Sequence, residues 1–175
     1  DICPTNAIVS ENMLDARKCI SYLTIEYKGP FPISLRKKIG NKVYGCDDCL
    51  SICPWNKFAS ITPEKDLLSS KSSDLDFYLK FNEEKFNSFF SHSPIKRIGW
   101  LSFLRNLIIS VGNSQNKKFV SILEKFLQHQ NSIIRGTTIW SLSQLLSQSE
   151  IKNIKKKMLK KEKNEYVLFE LNIIS

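Results

Sequence analysis

The feature that most constrains this sequence is its set of five cysteines, all of which lie within the first 53 residues. Three of them form the run Cys46-x2-Cys49-x3-Cys53-Pro, which matches the end of the bacterial ferredoxin pattern C-x2-C-x2-C-x3-C-P. That pattern would have its first cysteine at Val43, which cannot ligate a metal. Thiolates two residues apart bend around one metal centre, and the cysteine before proline ligates the other cluster in two-cluster ferredoxins. The spacing therefore predicts an iron–sulfur module.

Two further cysteines complete the predicted ligand set. Cys19 lies upstream of the run and substitutes for the missing first cysteine, with an insertion between it and Cys46. Cys3 precedes a proline, as the last cysteine of a second run would. We therefore predict that one [4Fe–4S] cluster has four thiolate ligands, Cys3, Cys19, Cys46 and Cys49. Cys53 would be one ligand of a second cluster.

The cysteines have three alternative roles. A structural zinc site also takes four cysteines, but zinc knuckles do not call for the Cys-Pro ending that occurs twice here. An odd cysteine count and the close C-x2-C spacing argue against a disulfide framework. Unligated core cysteines would not gather at these spacings by chance. Iron–sulfur ligation is the favoured interpretation.

Size and hydropathy limit the fold class and the location. The chain has 175 residues, enough for one substantial domain or for a small module joined to a larger one. Its 42% of hydrophobic residues is ordinary for a globular chain. No apolar run approaches the length of a membrane span, and the start of the chain shows no targeting pattern. These observations predict a cytoplasmic protein with no membrane contact, and we expect a monomer.

The positive charge is concentrated in the second half of the chain. The net charge is +9, and residues 93–161 contain thirteen Lys and Arg against only Glu124 and Glu150, a local charge of +11. A basic half on an otherwise near-neutral chain indicates a polyanionic partner. A lysine-rich solvated face accounts for the same composition equally well.

Hydrophobic periodicity predicts one short strand and many helices. A strand is expected at residues 7–9, and residues 21–26 suit either a strand or the start of a helix. Residues 34–40 predict a short helix that ends at Gly40. A polar linker is expected at residues 65–74. Beyond it, helical spacing recurs over residues 75–90, 93–113, 117–128, 133–146, 151–161 and 166–173.

These elements predict a mainly α fold. We expect part of a two-cluster ferredoxin-like module of the α+β class over residues 1–62 and a linker with a helical connection over 63–92. HEAT-like α-helical repeats are expected over residues 93–175, because the helices are short, paired and briefly connected. An ordinary small helical bundle would show the same hydrophobic stripes.

Several stretches resemble the epoxyqueuosine reductase family. The resemblance covers the cysteine module and part of the helical region, and the Tyr-Gly-Cys-Asp-Asp-Cys context followed by Cys-Pro-Trp-Asn is much narrower than the ferredoxin pattern. It rests on Asp1-Ile-Cys-Pro-Thr-Asn-Ala-Ile, on residues 14–26 and 39–58, and on Lys96-Arg-Ile-Gly with Phe103-Leu-Arg-Asn.

The resemblance implies a cobalamin-dependent oxidoreductase with two [4Fe–4S] clusters. Members of this family reduce epoxyqueuosine to queuosine at the wobble position of certain tRNA anticodons, and a separate electron donor is implied. Because the chain opens with Asp1 inside a cysteine motif, we expect a C-terminal fragment without the cobalamin-binding domain. No catalytic acid is assigned to this chain, and the fragment alone is expected to be inactive.

The resemblance and the charge pattern together name candidate contact residues. Cobalamin contacts are expected from Ser21 and from the loop of Cys46 and Asp47, although Ser21 could equally bond only backbone. For tRNA phosphates the candidates are side chains with suitable donors, Lys28, Lys96, Arg97, Arg105, Asn106 and Arg135. Trp100 and Trp140 occupy apolar helical positions and are expected in the core rather than under RNA bases.

Two further function classes account for parts of the sequence. One is a ferredoxin-type electron-transfer module that serves another reductase. The second is a non-enzymatic nucleic-acid-binding protein with a structural metal site. The first predicts no cobalamin partner domain, and the second predicts no redox-active metal.

Overall fold

The computed structural model describes residues 2–60, 62–63 and 74–174. Over these residues the fold is mainly helical, as predicted, and the sheet has two short antiparallel strands. Strand β1 spans Ile8–Ser10 and β2 spans Met13–Leu14, with Ile8 opposite Leu14. The turn between them contains Asn12 at φ 59°, a left-handed conformation that Asn tolerates better than most residues. The strand predicted at residues 7–9 is therefore confirmed with a shift of one residue.

Short helices carry the chain through the cysteine-containing part. Helix α1 spans Ile20–Ile25, α2 spans Ile33–Ile39 and α3 spans Asp48–Ser51. Two 3-10 helices flank them, Ala16–Lys18 before α1 and Pro54–Phe58 after α3.

The second part of the described chain consists of further helices. Their bounds are α4 Leu75–Leu79, α5 Glu83–Phe89, α6 Trp100–Asn113, α7 Val120–Phe126, α8 Ser132–Leu145, α9 Gln148–Leu159 and α10 Glu165–Ile173. Of these helices, α6, α8 and α9 are the longest. Further 3-10 helices, Pro94–Ile98 and Lys117–Phe119, lead into α6 and α7.

Two of the predicted helices are broken in the structure. The helix expected over residues 75–90 is split by Asn82, whose side chain accepts the N–H of Lys85 and so starts α5 anew. The helix expected from Ser93 is interrupted at Gly99, which has φ 79°. A left-handed residue cannot continue a right-handed helix, so the 3-10 turn ends there and α6 begins one residue later.

The core is built on the packing of α6 against α8. One large cluster of buried apolar side chains runs from Leu79 in α4 to Ile174 beyond α10. A second cluster joins the cysteine-containing part to the helices: Ile20, Leu23, Phe31, Leu35 and Ile39 pack on Ile109 of α6 and Trp140 of α8. Trp100 and Trp140 are both buried, as predicted. The cysteine-containing part is thus seated directly on α6 and α8.

Three expectations about organisation stay predictions. The division at residues 62 and 92 and the HEAT-like character of the helices are not tested by these contacts. Except for Asp74, the predicted linker lies outside the described residues. Among the described helices none has both the length and the apolar character required to cross a membrane.

Candidate metal centre

Four of the five cysteines line one small cavity. Its volume is about 40 Å³, and its walls are Cys3, Pro4, Ala7, Ile8, Leu14, Cys19, Ile20, Cys46, Asp48 and Cys49. The cysteines come from three separate segments, and they are the same four that the sequence predicts as ligands of one cluster. All five cysteines of the chain are free of disulfides.

Local backbone structure delivers each cysteine to the cavity. Cys3 opens a tight turn in which its carbonyl accepts the N–H of Asn6 at 3.1 Å. Cys19 lies between the 3-10 helix Ala16–Lys18 and α1, with extended φ and ψ. Cys46 follows Gly45, whose φ of 74° turns the chain toward α3, and Cys49 lies in the first turn of α3.

Backbone and hydroxyl groups surround the sulfur atoms. The N–H of Ala7 donates to Cys3 Sγ at 3.3 Å, and Thr5 Oγ1 lies 3.5 Å from the same sulfur. Burial works against ionisation of Cys3, but these hydrogen bonds outweigh it and hold the pKa of Cys3 below its usual value. At Cys46 burial dominates and raises the pKa, although the N–H of Asp48 hydrogen-bonds that thiol. N–H···S bonds of this kind tune the potential of a bound cluster.

The number of cysteines at the cavity matches the ligand set of a [4Fe–4S] cluster. A tetrahedral zinc site requires its sulfurs about 2.3 Å from one point, so they must converge closely. Within residues 2–60, 62–63 and 74–174, no three His, Cys, Asp or Glu side chains are placed to hold one metal ion. Four cysteines from three segments line a common cavity. This donor set fits a cubane, in which each thiolate binds a different iron atom.

Cys53 stands apart from this group. It precedes Pro54 at the start of a 3-10 helix and is not among the residues that line the cavity. The aromatic side chains that follow it are largely exposed, Trp55 at 77% and Phe58 at 69%. The assignment of Cys53 to a second cluster stays a prediction.

The comparisons with known proteins point to one family. Residues 1–56 match the model of a 4Fe-4S double cluster binding domain. The epoxyqueuosine reductase of Vibrio cholerae is 41% identical over 81% of this chain, and that of Escherichia coli is 36% identical over 93%. A crystal structure of epoxyqueuosine reductase with an epoxyqueuosine-modified tRNA-Tyr stem loop superposes on 98% of this chain with a TM-score of 0.90 and 30% identity.

The chain belongs to the epoxyqueuosine reductase family. The enzyme from Bacillus subtilis superposes in the same way, with a TM-score of 0.85 over 98% of this chain at 30% identity. The chain spans less than half the length of the curated relatives it matches, 39% of the Vibrio cholerae protein and 44% of the Escherichia coli protein. It also spans 46% of the tRNA-bound enzyme and 47% of the Bacillus subtilis enzyme. The resemblance inferred from the motifs is confirmed.

The residues expected to contact cobalamin in this family lie beside the cluster cysteines. Ser21 is the second residue of α1 and is half-buried, and Asp47 is exposed at the start of α3. Within the part of the chain that the structure describes, neither side chain has a hydrogen-bond partner. Both polar groups are therefore free to accept an external ligand. Cys46 lines the cavity, and its role as an iron ligand stays a prediction.

Three residues expected to bind tRNA form one basic surface next to the cysteine-containing part. The ammonium of Lys28 donates to the carbonyl of Ile98 at 3.1 Å, which places it beside the 3-10 helix that carries Lys96 and Arg97. Arg97 is exposed and pairs with Glu26 at 2.8 Å. Exposed pairs of this kind are weak, so the guanidinium of Arg97 can exchange Glu26 for a phosphate at little cost.

The assignment of Arg105 and Asn106 to tRNA has to be corrected. Arg105 is 1% exposed and Asn106 is 0% exposed. The Arg105 guanidinium donates to the carbonyls of Leu23, Tyr27 and Gly29, and its remaining donors reach Asn106 Oδ1. A guanidinium whose donors are all occupied inside the protein cannot bind a phosphate outside it. Burial also lowers the pKa of Arg105 to about 10.

Arg135 is also occupied within the protein. Its guanidinium forms a bidentate pair with Glu162 at 2.7 and 2.9 Å and donates to the carbonyls of His129 and Gln130. The side chain of Arg135 is 16% exposed. The Arg135 pair holds the pKa of Glu162 below its usual value. Of the predicted tRNA contacts, this leaves Lys28, Lys96 and Arg97 accessible.

Proposed function

We propose that this protein is the iron–sulfur and tRNA-binding part of an epoxyqueuosine reductase. The observation that carries the proposal is the cavity lined by four cysteines from three segments, in a chain 36–41% identical to such enzymes over most of its length. The relatives act on epoxyqueuosine by name, and one is known with a modified tRNA stem loop. We extend that substrate to this protein.

The residues of this chain then have defined tasks. A bound [4Fe–4S] cluster supplies single electrons, and Cys3, Cys19, Cys46 and Cys49 would hold it. The N–H groups of Ala7 and Asp48 would stabilise charge on the sulfurs, and apolar walls would keep water away. Cys53 would serve a second cluster whose other ligands do not belong to this chain.

Removal of the epoxide oxygen as water consumes two electrons and two protons, so single electrons must be delivered twice. Cobalamin supplies the organometallic chemistry in this proposal. Ser21 and the loop of Cys46 and Asp47 would contact it, because their free polar groups lie next to the cluster ligands in the chain. A hydrogen bond joins these two segments, since the backbone N–H of Gly45 donates to the side-chain Oγ1 of Thr24 in α1 at 3.0 Å. The electron acceptor and the cluster would thus share one wall.

Activity on modified tRNA tests the function directly. The whole protein, purified and reduced without oxygen, should convert epoxyqueuosine in tRNA to queuosine when cobalamin is supplied. Nucleoside mass spectrometry of digested tRNA measures the conversion. A protein with intact clusters that passes electrons to artificial acceptors, yet never converts the nucleoside, would instead be an electron-transfer module for another reductase.

The salt dependence of tRNA binding tests the basic surface. Each phosphate that a cationic side chain neutralises releases condensed counterions, so Arg97→Ala should flatten the plot of log affinity against log salt by about one unit. Lys96→Ala should do the same. The matched control is Lys80→Ala, because Lys80 is also exposed and paired, with Asp76 at 3.1 Å. Equal slopes for wild type and all three variants would exclude this surface as the tRNA footprint.

A further inference from the structure

The side chain of Asn106 occupies an unusual place for a carboxamide. It projects from α6 into the core with 0% exposure. Its amide nitrogen donates two hydrogen bonds, to the carbonyls of Thr24 and Val43, both at 2.8 Å. Its oxygen accepts from Nε and Nη2 of Arg105 at 3.1 and 2.9 Å, which fixes which end of the amide carries the donors. Every donor of this amide is therefore used.

The two carbonyl acceptors belong to the two segments that carry predicted cluster ligands, here called arms: the first arm is α1 after Cys19, and the second is the loop before Cys46. Thr24 lies on α1, the helix that begins directly after Cys19. Val43 lies three residues before Cys46. One amide group therefore bridges the segment that leaves Cys19 and the segment that arrives at Cys46. The two cysteines are separated by the insertion, which the ferredoxin pattern does not contain.

A second bridge between the same arms runs through Thr24. Its hydroxyl donates to the carbonyl of Ile20 at 2.8 Å and accepts the N–H of Gly45 at 3.0 Å. Gly45 directly precedes Cys46 and has the left-handed φ of 74°. Thr24 is itself 0% exposed, so water does not compete for these bonds.

Arg105 fixes the far end of the first arm. Its donors reach the carbonyls of Leu23, Tyr27 and Gly29 at 2.6–3.1 Å, at and beyond the end of α1. A cation at this end also interacts favourably with the helix dipole. The guanidinium lies 4.1 Å from the ring centre of Phe31, which packs in the same core. Helix α6 thereby holds the C-terminal end of α1 through both Arg105 and Asn106.

We propose that Asn106 is a positioning residue for the cluster and that, with Thr24, it sets the separation of the Cys19 and Cys46 thiolates. The inference rests on the proposed function only in that these cysteines hold a [4Fe–4S] cluster. Without the bridge, the described residues would join α1 to the loop before Cys46 through the Thr24 hydroxyl and side-chain packing, with no strand pairing, so the separation of the two ligands would be less firmly fixed. The helical part is then a structural support for the metal centre.

The test compares two asparagines of the same helix in the whole protein, purified without oxygen. Asn106→Leu keeps the size of the side chain and removes both donors, together with the oxygen that accepts from Arg105. The control is Asn113→Leu, because Asn113 also donates to two carbonyls of the insertion, those of Arg36 and Gly40, both at 2.9 Å. Those carbonyls lie at the end of α2, and neither is in the loop directly before Cys46. Because Asn106 is fully buried and Asn113 half-buried, Asn106→Leu should lose more thermal stability, and iron release is compared at temperatures equally far below the two melting midpoints.

The cluster itself should distinguish them. Iron release to a chelator should be about tenfold faster or more in Asn106→Leu than in Asn113→Leu, the effect typical of removing a group that orients a metal ligand. The EPR spectrum of the reduced cluster should change in Asn106→Leu only. Equal release rates and unchanged spectra in both variants would show that Asn106 merely stabilises the fold.

The Thr24 bridge provides an independent readout if Asn106→Leu does not fold. Thr24→Val has nearly the same shape and loses the acceptor for Gly45, whereas Thr24→Ser keeps it. We expect fast iron release and an altered spectrum in Thr24→Val and recovery of both in Thr24→Ser. Equal behaviour of the two Thr24 variants would overturn the proposal. A wild-type protein that binds no iron would instead refute the cluster assignment.

Discussion

Replacement of Cys19 by alanine is expected to abolish the cluster that this chain holds. Anaerobic reconstitution of the 175-residue chain should give about four iron and four sulfide ions per molecule, and Cys19→Ala should reduce both to near zero. The reason is that three thiolates leave one iron atom without a protein ligand. In addition, Cys19 is the N-cap residue of α1, and no second cysteine of its segment lines the cavity. Iron and acid-labile sulfide assays measure the loss.

The matched control is Cys53→Ala. Cys53 is half-buried like Cys19 but does not line the cavity, so its removal should leave the iron and sulfide content of the chain unchanged. Stoichiometric zinc without sulfide in the reconstituted wild type would contradict the iron–sulfur assignment. Equal losses in the Cys19 and Cys53 variants would contradict this division of the ligands.

The metal centre was predictable because thiolate ligation imposes close spacing along the chain. Cys46 and Cys49 reach one centre through a single turn, and a proline after cysteine redirects the chain. The place of Cys19 also follows, since the pattern lacks one ligand and one upstream cysteine is available. The cysteine spacing does not predict which contacts keep Cys19 near Cys46 across the insertion. That depends on α6, which lies far away in the sequence.

The assignment of Arg105 and Asn106 to tRNA failed for the same reason, because their burial depends on residues that are distant in the sequence. Arg105 and Asn106 are polar residues in a helix next to a basic segment, and sequence alone assigns such side chains to the surface. Burial of both becomes favourable only because the carbonyls of the insertion meet them in the fold and satisfy their donors. One signal was present: two adjacent polar residues lie between apolar neighbours on both sides, where a helix of this hydrophobicity has no wide solvated face.

Secondary structure was ambiguous where local and tertiary preferences differ. Residues 21–26 are β-branched and aromatic enough for a strand, yet all but the last of them lie in α1. Thr24 is compatible with the helix because its hydroxyl bonds the carbonyl of Ile20, and Leu23 is buried against α6 and α8. Packing on the helical part outweighs a weak intrinsic preference. Hydrophobic periodicity could not predict the helix break at Gly99 either, because the periodic pattern continues across that residue.

Glu170→Ala is expected to destabilise the protein by about 3–5 kcal/mol, the usual cost of leaving one member of a buried ion pair alone. Glu170 in α10 binds Arg36 in α2 through two hydrogen bonds of 2.8 and 2.5 Å, and both residues are at most 2% exposed. Arg36 also donates to the carbonyl of Phe31 at 2.9 Å and lies over the ring of Trp140. It therefore has no route to water when its partner is removed. Denaturant-induced unfolding measures the loss.

The double variant Arg36→Met/Glu170→Leu isolates the cause. It removes both charges and leaves apolar groups of comparable volume, so it should lose far less stability than Glu170→Ala alone. Arg97→Ala, which breaks the exposed pair with Glu26, should cost about 1 kcal/mol or less. If the double variant were as unstable as Glu170→Ala, lost packing rather than the unpaired charge would be responsible. The predicted recovery would mean that the instability of Glu170→Ala comes from the unpaired buried charge of Arg36, and that apolar packing alone can hold α2, and with it the insertion between Cys19 and Cys46, against α10.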